Sequence, residues 1–365
     1  MQAPSRNKIR WLEGALCVAL LCTLLFFSSS PIDTVKRSLS LCYTTVIPAV
    51  FPFMIVSALL LHTGAHRLIG ALLRRPMKIL FGCSGSGSNA VALGYLCGFP
   101  IGAVSAATLY HNGEISKNEL NRLLLFVNNP SAAFVIGGVG MGLFNSAQLG
   151  RLLYISVLIP SALVGIVSRF FFPKDRSEKQ ITTICEAKES DGLALAFTRA
   201  IGESAANMLT VCACVVFFSI PVGIIAEVFG KTGIDPSLSA LLSSFFEISG
   251  GCCASLTLSS PTQALMLCAF ACSWSGLSVH LQIFSVLGKC DVSFKPYIIS
   301  KLIQSLISPL LILLFSRGAT EVAFSDTAHI SASPTSQLVF LLLFIFSVVF
   351  AGVLYSCKRV ASRRV

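Results

Sequence analysis

The sequence predicts an all-α polytopic membrane protein with roughly 8–10 membrane segments, some of them broken or re-entrant, arranged as two inverted repeats. Of its 365 residues, 54% are hydrophobic and only 12% are charged, and the mean hydropathy is +0.80. Several apolar runs approach the roughly 20 residues that a helix needs to cross a hydrocarbon core of about 30 Å. Soluble domains carry about 25% charged residues. The composition therefore excludes an ordinary soluble enzyme.

The net charge of +11 comes from Lys and Arg residues that stand in short clusters beside apolar runs. This placement follows the positive-inside rule and does not indicate binding to nucleic acid. Arg6, Lys8 and Arg10 precede the first apolar run, which predicts a cytoplasmic N-terminus. A cleaved signal peptide is the alternative. The same clusters are suited to contact anionic headgroups of the lipid bilayer.

The sequence carries no motif of a catalytic, metal or cofactor site. The fourteen cysteines are scattered through apolar runs, without a CxxC pair or a His partner at metal-ligand spacing. They are typical of small packing residues. A P-loop, a Gly-x-Ser-x-Gly elbow and a His-Glu-x-x-His motif are also missing. We therefore expect no enzyme activity, no metal, no cofactor and no direct ATP-driven pumping.

Apolar runs predict membrane spans at Trp11–Phe27, Thr44–Leu61, Leu149–Phe172, Met208–Phe229 and Leu338–Tyr355. A strongly charged stretch in mid-chain predicts a linker between two halves. The predicted divisions are an N-terminal span and connection (1–43), a first gate-like repeat with the following span (44–172), the charged linker (173–192), a second gate-like repeat (193–315) and a C-terminal loop, span and basic tail (316–365).

The segment from Gly94 to Gly138 is apolar but is interrupted twice. Gly98, Phe99 and Gly102 lie at the first interruption, around a proline, and Asn128–Ser131 forms the second. Backbone groups freed at such breaks have no water partner in hydrocarbon, so they must face protein, a cavity or a ligand. Broken helices at the bilayer midplane, present twice in a chain, indicate a transporter's substrate site. A kink with a glycine packing face is the alternative.

A Gly-Ser-rich stretch precedes the first break. The residues Ile79–Tyr110 around it predict a re-entrant helical hairpin or a discontinuous helix pair. Ser86, Ser88 and Asn89 are typical of a helix start, where free backbone amides and the helix dipole favour an anion. A flexible linker is the alternative interpretation.

The second half repeats this plan at an offset near 178 residues. Gly98 corresponds to Gly276, and Arg122 and Pro130 have the same spacing as Lys301 and Pro309. The repeated breaks are the Gly-Ser stretch with Ser249 and Gly250, and the run SWSGLSVHLQ. With an odd number of crossings between them, the copies would be inverted and would allow alternating access around a central site.

Two ionisable residues stand beside the breaks of the second half. Glu247 precedes the Gly-Ser stretch and His280 lies in SGLSVHLQ. An ionisable group inside a membrane is by default a functional candidate. Glu247 is suited to carry a coupling proton or cation, and His280 to bind an anion or relay a proton. The alternatives are that Glu247 lies at the interface and that His280 is a packing residue.

Four runs together resemble the sporulation integral membrane protein YlbJ family: GYLCGFPIG, NNP with AFVIGGVGMGLF, FEISGG and GLSVHLQ. The resemblance covers about Thr44–Phe315 and implies paired gate, or nucleoside-recognition, domains laid out as in concentrative nucleoside transporters. It also implies a multi-pass protein of the mother-cell-derived membrane around the forespore, which moves dipicolinate toward the developing spore. The chain departs from the family pattern because Phe99 replaces a tyrosine and Pro130 directly follows Asn129.

Together these arguments predict one midplane substrate site. Its predicted residues are Ser86, Ser88, Asn89, Gly98, Phe99, Gly102, Asn128, Asn129, Ser131, Ser249, Gly250, Trp274, Ser275, Gly276, Ser278, His280 and Gln282, with Glu247 and His280 for ion coupling. Helix N-termini and Asn or Ser donors suit an aromatic dicarboxylate, with Phe99 or Trp274 against the ring. A nucleoside fits the same residue types, and a non-transporting scaffold for sporulation or envelope assembly is a third hypothesis. A homo-oligomer is compatible with all three.

Overall fold

The structure is a computed structural model. It describes residues 29–172 and 192–323, except Ile234, Lys289 and Asp291, and it also describes the isolated residues Gly14 and Val18. These residues contain thirteen main α-helices and no β-strand, which confirms the all-α class. The helices are α1 Ser29–Leu41, α2 Ile47–His62, α3 His66–Phe81, α4 Gly87–Cys97, α5 Ile101–His111, α6 Lys117–Leu124, α7 Ala147–Ser168, α8 Leu193–Thr232, α9 Pro236–Phe246, α10 Ile248–Ser255, α11 Pro261–Trp274, α12 Gly276–Leu287 and α13 Phe294–Ala323. Two π-helical stretches accompany them, at Cys42–Val46 and Ala133–Met141, the second followed by the turn Gly142–Phe144.

In the described part of the chain, four stretches are long and apolar enough to cross a membrane. They are Ala147–Ser168, Leu193–Thr232, Pro261–Leu287 and Phe294–Phe315. Three shorter apolar helices, Val50–His62, Ala133–Phe144 and Pro236–Phe246, add to them. The predicted spans Trp11–Phe27 and Leu338–Tyr355 lie outside the described residues except for Gly14 and Val18. The predicted linker 173–192 also lies outside them, apart from its last residue, Gly192.

Polar side chains fix where several helices begin. Ser116 accepts from the Glu119 N–H at 3.1 Å before α6, and Ser146 accepts from the Leu149 N–H at 3.2 Å before α7. Asp235 does the same before α9. Each cap satisfies one of the backbone donors that a helix start leaves free.

The predicted span Met208–Phe229 is the C-terminal part of a much longer helix. α8 contains 40 residues, which corresponds to about 60 Å at 1.5 Å per residue. It is therefore about twice as long as the hydrocarbon core is thick. It packs against α1 and α2 and also against α12, so it links elements of both halves.

α4 and α5 fold back on each other as a helical hairpin, one of the two arrangements that the sequence allowed. Gly94 in α4 and Gly102 in α5 lie side by side, and both face the backbone carbonyl of Val127. A Cβ atom on either glycine would overlap that oxygen. The hairpin thus needs glycine at both positions, because its two helices close around the start of the second break.

The same order of elements occurs twice. In the first half, α4, a glycine at positive φ (Gly98, φ 80°), α5 and α6 follow one another. In the second half, α11, Gly276 (φ 70°), α12 and α13 do so. α12 packs against α5, and α13 packs against α11 and α7. The two copies differ after this point. α13 stays helical through Pro309, whereas the chain of the first copy is non-helical between α6 and the following π-helix.

We expect Gly94→Ala to destabilise the protein by about 1–3 kcal/mol, because the added methyl group overpacks the contact with the Val127 carbonyl. The measurement is the melting temperature of purified protein in detergent. Gly137→Ala is the matched control, since Gly137 is also helical and nothing lies within 4 Å of its Cβ position. Equal melting temperatures for the two variants would contradict the close helix approach.

Candidate functional site

The unwound stretch after α6 has its backbone carbonyls satisfied by side chains. The Asn128 amide nitrogen donates to the Leu124 carbonyl at 3.2 Å, and the Asn129 amide nitrogen donates to the Phe126 carbonyl at 2.9 Å. Ser161 of α7 adds a second hydrogen bond to the Phe126 carbonyl at 2.7 Å. The Asn128 amide therefore caps the C-terminal end of α6, and the Asn129 amide satisfies a carbonyl of the stretch just beyond it.

Asn128 and Asn129 are fully buried, and both keep an Oδ1 atom without a hydrogen-bond partner among the described residues. Neither lines a cavity with the other predicted site residues. In the structure, these asparagines stabilise the non-helical backbone of the break and do not line the cavity described below.

The turn between α4 and α5 is tied to this break. The Phe99 N–H donates to the Asn129 carbonyl at 2.7 Å. Gly98 adopts φ 80°, and its Cβ position is within 3 Å of the Ser131 backbone. Both features explain why the first interruption is built on glycine: the backbone conformation and the close approach exclude a side chain. The two breaks of the first half form one unit.

The break of the second half lies at Ser275 and Gly276, which both have positive φ (74° and 70°). A Cβ on Gly276 would lie 3.0 Å from the Phe246 carbonyl and about as close to the backbone of Glu247. The junction of α11 and α12 therefore packs directly on the junction of α9 and α10. This contact brings Glu247 beside the start of α12.

One cavity lies between the two halves, next to the breaks of both. Phe99, Ser131 and Phe134 line it from the first half, and Ser278 and Gln282 line it from the second. Valine side chains from α2, from the π-helical stretch before it and from α8 contribute to its wall. Its volume is about 40 Å³, which is room for a few water molecules. Of the predicted site residues, six line this cavity: Phe99, Ser131, Glu247, Ser249, Ser278 and Gln282.

Four helices begin at this cavity. Phe99 lies two residues before the first residue of α5, and Ser131 caps the π-helix, accepting from the Phe134 N–H at 3.2 Å. Ser249 lies in the first turn of α10 and Ser278 in the first turn of α12. A helix start carries a partial positive charge and free N–H groups. The cavity is therefore favourable for a negatively charged group.

Glu247 supplies one such group from the chain itself. Its Oε2 atom accepts from the Gly250 N–H at 2.6 Å, so Glu247 is the N-cap of α10. Its Oε1 atom is buried and has no partner among the described residues. The predicted intramembrane acid thus lies in the cavity, 2% exposed, and not at the surface.

Two further polar side chains line the cavity without partners in the described part of the chain. Both polar atoms of Gln282 and the hydroxyl of Ser278 are buried and unpaired. An unpaired buried polar group costs free energy. These groups are consequently the best candidates for contact with a solute.

Trp274 and His280 lie behind the cavity in an aromatic cluster. Their rings are 4.5 Å apart, and the Trp274 ring stacks on Phe245 at 5.0 Å. The Trp274 indole nitrogen donates to the Phe245 carbonyl at 3.1 Å, and His280 Nδ1 is 2.9 Å from the Tyr297 hydroxyl. His280 Nε2 has no partner within the described ranges. His280 is therefore packed against aromatic rings, but only one of its two ring nitrogens has a partner.

The remaining predicted residues lie elsewhere. Ser86, Ser88 and Asn89 form the start of α4, where the Glu119 carboxylate accepts from the Ser84 N–H at 2.6 Å. A carboxylate of the chain therefore already covers that helix start. Gly250 packs against α8, since its Cβ position is 2.9 Å from a methyl group of Val222.

Sequence reasoning missed Lys301 and Gln304 as site residues. Both are buried in α13, at 0% and 1% exposure. In the sequence Lys301 marks the repeat, and the rule that points to Glu247 as a functional candidate applies equally to a lysine in an apolar helix. The Lys301 side-chain nitrogen donates to the Asn128 carbonyl, and Gln304 Nε2 donates to the Leu125 carbonyl at 2.7 Å.

Five side-chain hydrogen bonds between the halves join residues that are 172–179 positions apart, close to the repeat offset. The pairs are His111–Cys290, Asn121–Ser293, Leu125–Ser300, Leu125–Gln304 and Asn128–Lys301. Corresponding segments of the two copies thus meet each other, as expected for copies that face each other across an axis. The inverted orientation of the copies stays a prediction.

Comparison with known proteins gives one relative of similar length. The chain is 29% identical to the sporulation integral membrane protein YlbJ of Bacillus subtilis (strain 168) over 325 residues, covering 81% of this chain and 80% of the relative. No family model matches the chain, and no solved structure matches it.

We expect Asn129→Ala to lower stability by about 1–2 kcal/mol, because the Phe126 carbonyl loses its amide donor. The readout is the melting temperature in detergent. Asn112→Ala is the control, since Asn112 is exposed in the turn after α5. If both variants melt at the same temperature, the stabilising role of the Asn129 amide at the Phe126 carbonyl is wrong.

Proposed function

We propose that this chain, as a member of the family of the sporulation integral membrane protein YlbJ, transports a small anionic solute across a membrane during endospore formation. The proposed cargo is dipicolinate, moved from the mother cell toward the forespore. The observation that carries the proposal is the cavity between the two halves, at which four helices begin.

The charge distribution of the cavity supports an anionic cargo. Helix starts favour carboxylates through their dipoles and free N–H groups. Ser131, Ser278 and Gln282 add hydroxyl and amide donors at the same place. Convergent donors of this kind can hold two carboxylates of one molecule.

The aromatic lining supports a planar ring. Phe99 and Phe134 both line the cavity, on the side of the first half. Stacked or edge-on contacts with such rings stabilise a bound aromatic group. Of the two alternatives that the sequence offers for this contact, Phe99 or Trp274, the proposal assigns it to Phe99.

Transport requires the cavity to widen. Its volume of about 40 Å³ is too small for a ring with two carboxylates. Because the lining comes from both halves, a relative movement of the halves would open it to one side or the other. Such alternating access is the working mode of transporters built from repeats.

Glu247 gives the proposed cycle its coupling group. An ionised Glu247 would repel an anion in the same cavity, whereas a protonated one would not. The proposal therefore assigns Glu247 the proton that accompanies the solute, and it assigns no catalytic step to the chain.

A nucleoside is the second candidate cargo. Gln282 offers an unpaired donor and an unpaired acceptor side by side. A primary amide of this type can pair with the edge of a nucleobase through two hydrogen bonds.

The direct test is uptake of labelled dipicolinate into liposomes that contain the purified full chain, with and without an imposed proton gradient. A labelled nucleoside is the parallel substrate, and empty liposomes are the control. Selective dipicolinate uptake would support the proposal, and selective nucleoside uptake would favour the second candidate. If folded, inserted protein moves neither solute, the scaffold hypothesis replaces transport.

We expect Gln282→Leu to reduce solute uptake at least about tenfold without lowering the melting temperature. The substitution removes two unpaired polar atoms at similar volume, which is neutral or stabilising for the fold. Gln304→Leu is the matched control, because Gln304 is equally buried but donates to the Leu125 carbonyl. We expect the control to melt at a lower temperature. Unchanged uptake by the Gln282→Leu variant would remove this side chain from solute binding.

A further inference from the structure

Lys301 is completely buried in the apolar helix α13. A buried lysine needs oxygen ligands, because transfer of its charge out of water is costly. Its side-chain nitrogen donates to the Asn128 carbonyl and lies 3.3 Å from Gln304 Oε1. Both partners are neutral oxygens, and no carboxylate forms an ion pair with Lys301 in the described ranges.

The partners form a site for a cation. The Asn128 carbonyl lies in the unwound stretch beyond α6, close to the negative end of that helix dipole. Gln304 is oriented by its own hydrogen bond from Nε2 to the Leu125 carbonyl, which leaves Oε1 toward Lys301. Unwound carbonyls and helix C-terminal ends are the groups that hold coupling cations in transporters with broken helices.

We propose that the Lys301 ammonium group is a tethered cation, which occupies the oxygen site at this break in place of a free coupling ion. The inference rests on the proposed transport function and deepens it, because it makes the cycle independent of sodium. It also gives Lys301 a positioning role: the cation of the second half holds the unwound stretch of the first half.

The assignment predicts which class of ligand should bind when the Lys301 side chain is removed. Lys301→Ala removes three carbons and the nitrogen, which together correspond to n-propylammonium. A primary alkylammonium ion should therefore bind to the variant, and n-propanol, its uncharged analogue, should not replace it.

The test uses the full chain in detergent. We expect Lys301→Ala to lower the melting temperature by about 5–10 °C, and we expect n-propylammonium, titrated to saturation, to restore at least half of this loss. The wild-type protein and Lys295→Ala, which changes an exposed lysine of the same helix, are the controls and should not respond. If n-propanol restores stability equally, or if n-propylammonium restores none, the tethered-cation assignment is overturned.

A second variant covers the case in which Lys301→Ala does not fold. Lys301→Met fills the volume but carries no cation, so it should also melt below the wild type; equal stability would overturn the proposal.

In liposomes, replacing sodium by choline should leave wild-type uptake unchanged, and sodium-dependent uptake would count against the inference. Failure of transport itself would show as absent uptake by the wild type, whereas the amine response is read from stability alone.

Discussion

The structure depends on how the backbone groups freed at the end of α6 are satisfied. In hydrocarbon, these carbonyls have no water partner, and each unsatisfied one costs free energy. Asn128 and Asn129 satisfy two of them from within the stretch. The others need donors from elsewhere, including Gln304 and Lys301 of α13. The first half therefore cannot keep its break without the second half.

The buried polar groups fall into two sets, one that stabilises the fold and one that is available to contact a solute. The polar atoms around the end of α6 are largely paired, and they fix where the next helices begin. The polar atoms of Ser278 and Gln282 in the cavity are buried and unpaired in the described chain. A fold retains such costs where a site requires them. The contrast between the two glutamines of similar burial, Gln282 and Gln304, makes the distinction concrete.

The sequence predicted the parts of this arrangement that depend on local chemistry. Composition determined the membrane class, glycine at 98 and 276 marked the breaks, and the rule for intramembrane acids found Glu247. The direction in which a side chain points was not predictable, because a sequence pattern indicates how deep a residue lies in the membrane but not which groups it faces. For this reason the sequence points the amides of Asn128 and Asn129 at the solute, whereas in the structure they donate to backbone carbonyls at and just beyond the end of α6. The start of α4 was likewise assigned to an anion, because nothing local indicated that Glu119 covers it.

The positions of the two buried charges suggest how binding and protonation are linked. Lys301 lies near a helix C-terminal end and Glu247 at a helix start, so each side chain faces the dipole end of opposite sign. A solute anion and the Glu247 carboxylate compete for the same helix starts. If the anion binds more tightly when Glu247 is protonated, then thermodynamic reciprocity requires the bound anion to favour that protonation by the same factor. Glu247 alone then suffices to couple a proton to an anionic solute, while Lys301 stays bound to the Asn128 carbonyl and Gln304.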